Sequence, residues 1–262
     1  VADDWRSPTT FNSAEWDGFW RYSDEFVVVR RNKDILNSKG KREKDVYPYR
    51  WNGQRWERKR PENYLPGSEG YLPLYNRDDL LRRRDVPVLV VEGEKTADAA
   101  IALLPELVVT TWYGGTNSIK AADWSLLRGR AVYLWPDADA DGKGLKAMEK
   151  VAQAAPASEF RLVEPPEGVP DTWDLADAVA DGWDTARAMD WLLQHSSLLE
   201  VEKAAAADHA AEGQDVGTAE SARTYAELLD LLLTAIEGGD ISREMELRHE
   251  VAMRFRSTTL SQ

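Results

Sequence analysis

Three acidic features stand out as residues whose types and spacing could do chemistry. Glu92 directly follows the apolar run Val88-Leu89-Val90-Val91 and precedes Gly93-Glu94-Lys95. Asp137-Ala138-Asp139-Ala140-Asp141-Gly142 directly follows Val132-Tyr133-Leu134-Trp135-Pro136. Asp171, Asp174 and Asp177 come further on. If both apolar runs are neighbouring strands of a parallel sheet, Glu92 faces Asp137 and Asp139 across a crevice at the carboxyl ends, where such sheets place their chemistry. Carboxylates crowded in this way repel, and a divalent cation between them removes that cost. Mg²⁺ or Mn²⁺ suits oxygen ligands and could stabilise an attacking or leaving oxygen in phosphoryl transfer. A helix N-cap role competes for Asp141. An EF-hand reading of Asp137-x-Asp139-x-Asp141-Gly142 fails, because Met148 occupies the position of the obligatory Glu.

The elements that must position these acids follow from periodicity. Apolar runs at 86–91, 107–111, 130–135 and 160–163 alternate with amphipathic stretches at 96–104, 123–127 and 145–154, so a small parallel α/β sheet is expected, closed by one or two helices over 174–193. Upstream the pattern is β-like. A strand is expected at 26–29. A hairpin is expected at 46–51 and 54–59 around Asn52-Gly53, a type I′ signal, with Tyr47, Tyr49 and Trp51 on one face and Trp56 beside them. Residues 61–70 read as a loop, and 78–83 as a short helix. The expected division is a basic β-rich subdomain at 1–85, an α/β domain at 86–195, a linker at 196–218 rich in Ala, Glu, Asp and Gly, and a helical hairpin at 219–262. The first residue is Val1 rather than Met, so a piece of a longer chain is expected.

Composition narrows the classes. The 262 residues carry 33 Lys+Arg against 46 Asp+Glu, a net charge of −13, and no cysteine. Disulfides, thiol catalysis and Cys-ligated zinc are excluded, and three scattered histidines make a His-based zinc site a poor expectation, so no zinc is expected. No apolar run has membrane-spanning length, so no membrane partner is expected. The charge is uneven. Residues 30–84 hold 16 basic and 8 acidic residues, a local +8, whereas 85–262 sum to −17. A basic, aromatic stretch of this kind points to a polyanion.

The motifs together resemble a known family. Val88 to Lys95, then Tyr113-Gly114-Gly115-Thr116-Asn117, then Leu134 to Gly142 look like the successive motifs of a Toprim domain, shared by bacterial-type primases, type IA and II topoisomerases and small nucleases. Pro170 to Asp177 resembles the acidic segment that follows in primase-type members, and the basic hairpin ending in Leu72-Pro73-Leu74-Tyr75-Asn76 resembles the region preceding Toprim in phage and plasmid primases. The resemblance covers residues 45–190. It implies a Toprim-like sheet flanked by helices and a DNA primase that makes short RNA primers from nucleoside triphosphates on single-stranded DNA. It also implies cytoplasmic work in a nucleoid or phage replication complex. Glu92, Asp137 and Asp139 would then be catalytic, and Glu92, Asp137, Asp139, Asp171 and Asp174 would hold Mg²⁺ or Mn²⁺. Lys95, Gly114, Gly115 and Lys143 would meet phosphate, against the plainer readings of a solvated helix start and a tight turn. Arg50, Trp51, Arg55, Trp56, Arg58, Lys59 and Arg60 would hold template, with packing of the hairpin on the body as the competing use of its aromatics. The zinc module usual in such primases cannot form without cysteine, and no Walker-type phosphate loop marks a fused helicase. A Toprim nuclease and a non-catalytic replication or defence scaffold are the alternatives. The apolar stripe Leu228 to Ile236 could dock a replicative helicase or pack on the body.

Overall fold

The computed structural model describes residues 16–36, 42–61 and 72–201. The expected loop at 61–70 falls mostly outside these residues, as do most of the linker, the helical hairpin at 219–262 and any helicase contact through it. Among the described residues no helix is long and apolar enough to cross a membrane.

Two sheets are formed. The first is an antiparallel meander in the order β1 (Gly18–Ser23), β2 (Phe26–Leu36), β3 (Arg42–Trp51) and β4 (Trp56–Glu57). Strand β1 falls in a stretch whose sequence shows only weak periodicity, because its alternation runs through Trp20 and Tyr22 rather than aliphatic residues. Pro48 is tolerated inside β3 because β4 pairs only with Arg50 and Trp51, leaving Pro48 on an edge with no ladder bond to donate. The hairpin at Asn52-Gly53 differs from the two-residue turn expected. Trp51 pairs with Trp56, so the loop is four residues long. Asn52 Oδ1 accepts from the N–H groups of Gln54 and Arg55, both at 2.9 Å, and this side-chain-built turn replaces the tighter one.

The second sheet runs β6-β5-β7-β8-β9, with β5 Val88–Val91, β6 Val108–Thr110, β7 Ala131–Trp135, β8 Glu159–Val163 and β9 Ser196–Leu198. The first four strands are parallel and β9 is antiparallel to β8. Ser196–Leu198, which composition assigns to the start of a linker, is thus an edge strand held by backbone pairing that its side chains do not announce. The fold is mixed α/β, as expected, with helices on both faces. Leu89, Val91, Tyr133 and Trp135 face α2 (Glu94–Leu103), α4 (Leu175–Ala180) and α5 (Thr185–Gln194). Val88, Val90, Val132 and Leu134 face α1 (Arg77–Arg82), α3 (Lys143–Ala154) and two 3-10 turns, Thr116–Ala121 and Trp124–Leu127. Burial on both faces explains why the strands read as continuous apolar runs rather than alternating ones.

One buried cation ties this layer together. Arg130, 8% exposed, donates to the carbonyls of Leu80 at 3.1 Å and Arg83 at 2.8 Å, and also to that of Val86. Burial, together with the nearby charge of Arg83, lowers its pKa to about 10. The acceptors are carbonyls at the end of α1 and just beyond it, where the helix dipole favours a cation. Replacing Arg130 with Met should leave these carbonyls without a donor and cost about 2–4 kcal/mol, read as a lower midpoint in urea with an unchanged slope.

Candidate active site

Strands β5 and β7 are hydrogen-bonded neighbours, with Val91 opposite Trp135. That register places Glu92 one residue past the end of β5 beside the loop 137–142 leaving β7, as the sequence spacing requires for a shared crevice. The turn after Glu92 is pinned by Gly93 N–H donating to the buried Thr111 Oγ1 at 3.0 Å. Gly93 has φ +77°, open to glycine at little cost. Glu92 Oε1 is buried and has no hydrogen-bond partner. Burial raises the Glu92 pKa; a backbone hydrogen bond from Asp137 lowers it, and the charge of Asp139 raises it.

Asp139 is held at the start of α3, where its Oδ2 accepts from Gly144 N–H at 3.1 Å. Gly144 makes this approach possible. A Cβ there would stand 2.4 Å from Asp137 O and 3.0 Å from Glu92 Oε1. The N-cap of α3 is Gly142, with φ +68° and no side-chain bond, rather than Asp141, whose Oδ1 accepts from Lys143 N–H at 3.2 Å from one residue further out. Lys143 Nζ in turn lies 2.5 Å from Asp141 Oδ2, so its charge is paired within the loop. The segment 171–173 braces the loop from outside. Ala138 N–H donates to Trp173 O and Thr172 N–H to Ala138 O, each at 2.9 Å. Asp171 Oδ1 accepts from Ala140 N–H at 2.9 Å.

The structure therefore brings Glu92, Asp137, Asp139 and Asp171 to one edge but gives Asp174 other work. Asp174 caps α4, its Oδ1 accepting from Ala176 N–H at 2.7 Å and Asp177 N–H at 3.0 Å. Asp177 returns the bond to the Asp174 N–H, completing a capping box. Among the described residues no three His, Asp or Glu side chains are gathered into a metal-holding group. The donor chemistry still suits a hard cation: Glu92 presents a buried carboxylate oxygen with no partner, and the charge of Asp139 is felt there.

The glycine loop and Lys95 stand at the same edge. Gly114 and Gly115 have φ +89° and +64°, and a Cβ on Gly114 would meet Ser118 Oγ at 2.5 Å, so the turn needs glycine for its own geometry. Trp112 Nε1 donates to Gly115 O at 2.8 Å. Lys95 is exposed in the first turn of α2.

Sequence reasoning missed the polar seam that fastens the basic sheet to α2. Tyr22 OH donates to Glu94 Oε1 at 2.9 Å, Trp20 Nε1 to Asp98 Oδ2 at 2.7 Å, and Tyr75 OH to Asp98 Oδ1 at 2.7 Å. Burial raises the pKa of Glu94, while Tyr22 and Lys44 stabilise its charge. The i,i+4 spacing of Glu94 and Asp98 was the available signal; their partners were not. Behind the seam Tyr22 packs on Phe26 and Tyr75, and Phe26 meets Tyr113 edge-on at 5.5 Å.

The face of the first sheet that packs on the body is therefore Trp20, Tyr22, Phe26 and Val28. Tyr47 and Tyr49 pair with Val29 and Val27 and lie on the other face, half-buried against Trp16. Arg58 stacks 3.6 Å over Tyr47, and Trp51 meets Trp56 at 5.7 Å. Arg50 and Arg55 both approach Glu57, at 3.5 and 3.8 Å. Lys59 and Arg60 are exposed, and the charge of Arg60 reaches Tyr113 beside the glycine loop. Arg82 at the end of α1 and Arg83 at its C-cap pair with Asp79, so the basic stretch of sequence is not one surface.

No family model matches the chain, and no curated protein matches it in sequence. Solved structures similar to it include the zinc-binding and RNA polymerase domains of the Aquifex aeolicus primase, at 14% identity and a TM-score of 0.37, covering 93% of this chain. This chain spans 57% of that structure's length. A DNA primase domain from Pseudomonas aeruginosa is similar over 89% of this chain and 69% of its own, at 14% identity and a TM-score of 0.39. A DnaG primase catalytic domain bound to ssDNA is similar over 88% and 69%, at 14% identity and a TM-score of 0.36.

The Glu92 shift has a sign. Its pKa is higher in the folded protein than in the unfolded chain, so the native state holds that proton more tightly and stability is lost as pH rises from the ordinary Glu range through the raised value. In protein kept free of divalent cations, Glu92→Gln should raise the unfolding temperature at neutral pH. The difference should vanish below about pH 4, as calorimetry can show. Gly144→Ala should lower the unfolding temperature at every pH, because the added Cβ meets backbone that cannot yield cheaply.

Proposed function

We propose that this chain is a Toprim-type nucleotidyl transferase that makes short RNA primers from nucleoside triphosphates on single-stranded DNA, using Mg²⁺ or Mn²⁺. The observation that carries the reading is the buried, unpartnered Glu92 Oε1 at the end of β5, next to the acidic loop leaving β7. Glu92 and Asp139 would hold the ion, with Asp137 adjoining. Bound there, a divalent cation would supply charge neutralisation for a triphosphate.

The chain's own groups supply the rest. As a ligand of the ion Glu92 needs no protein partner of its own, which fits the buried and unpartnered state of its Oε1. Asp171 and the capping bond from Gly144 keep the loop 137–142 in place, so Asp139 does not have to be ordered at the moment of reaction. The seam through Glu94 and Asp98 holds the basic sheet against α2, and through Lys44 and Arg60 that sheet brings positive charge near the acidic edge. Template lies on the outer face of the sheet. There Tyr49, Trp51 and Trp56 offer rings, and Arg58, stacked on Tyr47, offers charge.

The test is direct. Purified protein with Mg²⁺, single-stranded DNA and labelled nucleoside triphosphates should yield short oligoribonucleotides. Glu92→Gln and Asp139→Asn should each cut the yield by about 10²–10⁴-fold with the fold intact by circular dichroism. Shortened DNA without RNA product would make the chain a nuclease instead. Full activity in both variants would remove these carboxylates from the chemistry.

A further inference from the structure

On the sheet face covered by α3, a groove of about 920 Å³ opens between the 3-10 turns and the C-terminal half of that helix. Three cationic side chains line it, Lys120, Arg128 and Lys150, all exposed. Among the described residues none of them makes an ion pair or a side-chain hydrogen bond. In a chain of net charge −13, three cations without an ion pair around one depression favour an anionic ligand. The acid lining the groove, Asp123, is occupied: its Oδ1 accepts from Ser125 N–H at 3.1 Å and Ser125 Oγ at 2.5 Å. Thr116, Asn117 and Gln153 add neutral hydrogen-bonding groups.

The lining also says what does not bind there. Trp124 contributes to the wall but is 4% exposed, its Nε1 donating to Ile119 O at 2.8 Å, so no aromatic face is presented to a base. Between its cations the groove has small apolar stretches at Ala154 and Pro156 but no aromatic ring to stack on, which suits a sugar-phosphate chain better than a nucleobase. Its direction follows from the topology. Thr116 and Asn117 come directly after the glycine loop at the carboxyl edge, where Glu92 and Asp139 stand. Arg128 and Pro156 precede β7 and β8 at the amino edge. The groove therefore leads away from the acidic edge along the outside of the sheet.

We propose that this groove is a track for the sugar-phosphate backbone of a single-stranded nucleic acid, gripped by Lys120, Arg128 and Lys150 without regard to sequence. It borrows from the function proposed above only the end at which the strand enters. The grip itself requires no bond to be made or broken.

Binding without chemistry tests it separately. A labelled oligothymidylate is titrated with the full chain in EDTA, without nucleotides, at several KCl concentrations. The triple variant Lys120→Gln, Arg128→Gln, Lys150→Gln should flatten the slope of log K against log salt by about 0.7 per cation, about 2 in all, and weaken binding at least about tenfold near 0.1 M salt. The single variant Lys150→Gln, on an exposed helix position, should show about a third of the slope change, so the test survives if the triple variant unfolds. Slopes and affinities equal to wild type would overturn the track. So would a nucleoside triphosphate that binds wild type and not the triple variant while oligothymidylate binds both equally; the groove would then be a mononucleotide site. Loss of primer synthesis with these binding results intact would count against the proposed chemistry alone.

Discussion

The parallel pairing of β5 with β7 is the constraint from which the rest of the site follows. It sets two acidic loops side by side at one edge and holds Glu92, partly stripped of water, within electrostatic reach of Asp139. Left to itself, such a carboxylate favours exposure or protonation. It stays because both strands are buried on both faces, with Val88, Leu89, Val90 and Val91 all at 0% exposure, so the loops cannot move apart without opening the core. Strain of this kind is typical of sites that bind a charged group, and the absence of a Cβ at Gly144 is the local adaptation that permits it.

Around that edge the protein divides its acids between two tasks. Glu92 presents an unpartnered oxygen beside Asp139, whereas Asp141, Asp171, Asp174 and Asp177, together with Asp139 itself through Gly144, satisfy backbone N–H groups of the loop and of α3 and α4. The second set makes the first possible, since a loop carrying three aspartates in five residues would otherwise be driven open by its own charge. The positive counterpart is delivered from another sheet. Tyr22 and Trp20 reach Glu94 and Asp98 on α2, and through that seam the meander lies against the helix that begins just after Glu92. One helix thus serves as the support of the acidic edge and as the anchor of the basic sheet.

Much of the α/β unit is legible from periodicity. The apolar runs become β5, β6, β7 and β8, and the adjacency of β5 and β7 that the acidic spacing presupposes is present. The positions of Glu92 and Asp137 at strand ends are legible for the same reason, because a buried parallel strand ends where its apolar run ends. Strand β1 and strand β9 were not legible. Their residues alternate weakly or not at all, and they are strands only because a neighbour offers backbone groups to pair with. Asp174 carries the residue type of a ligand, and only the position of α4 makes it a cap.

The sequence by itself determined which residues are acidic, basic and aromatic, and the order in which strands and turns present them, because those follow from local side-chain chemistry and repeat. It also determined that no metal here is held by cysteine sulfur, since cysteine is absent. Tertiary structure decided which acids face a crevice and which cap a helix. It decided which face of the meander is used for attachment, and it separated Arg82 and Arg83 from the basic sheet. It also gathered Lys120, Arg128 and Lys150 into one groove. These outcomes depend on contacts between segments far apart in the chain, and burial and charge at such contacts depend on the partner as much as on the residue.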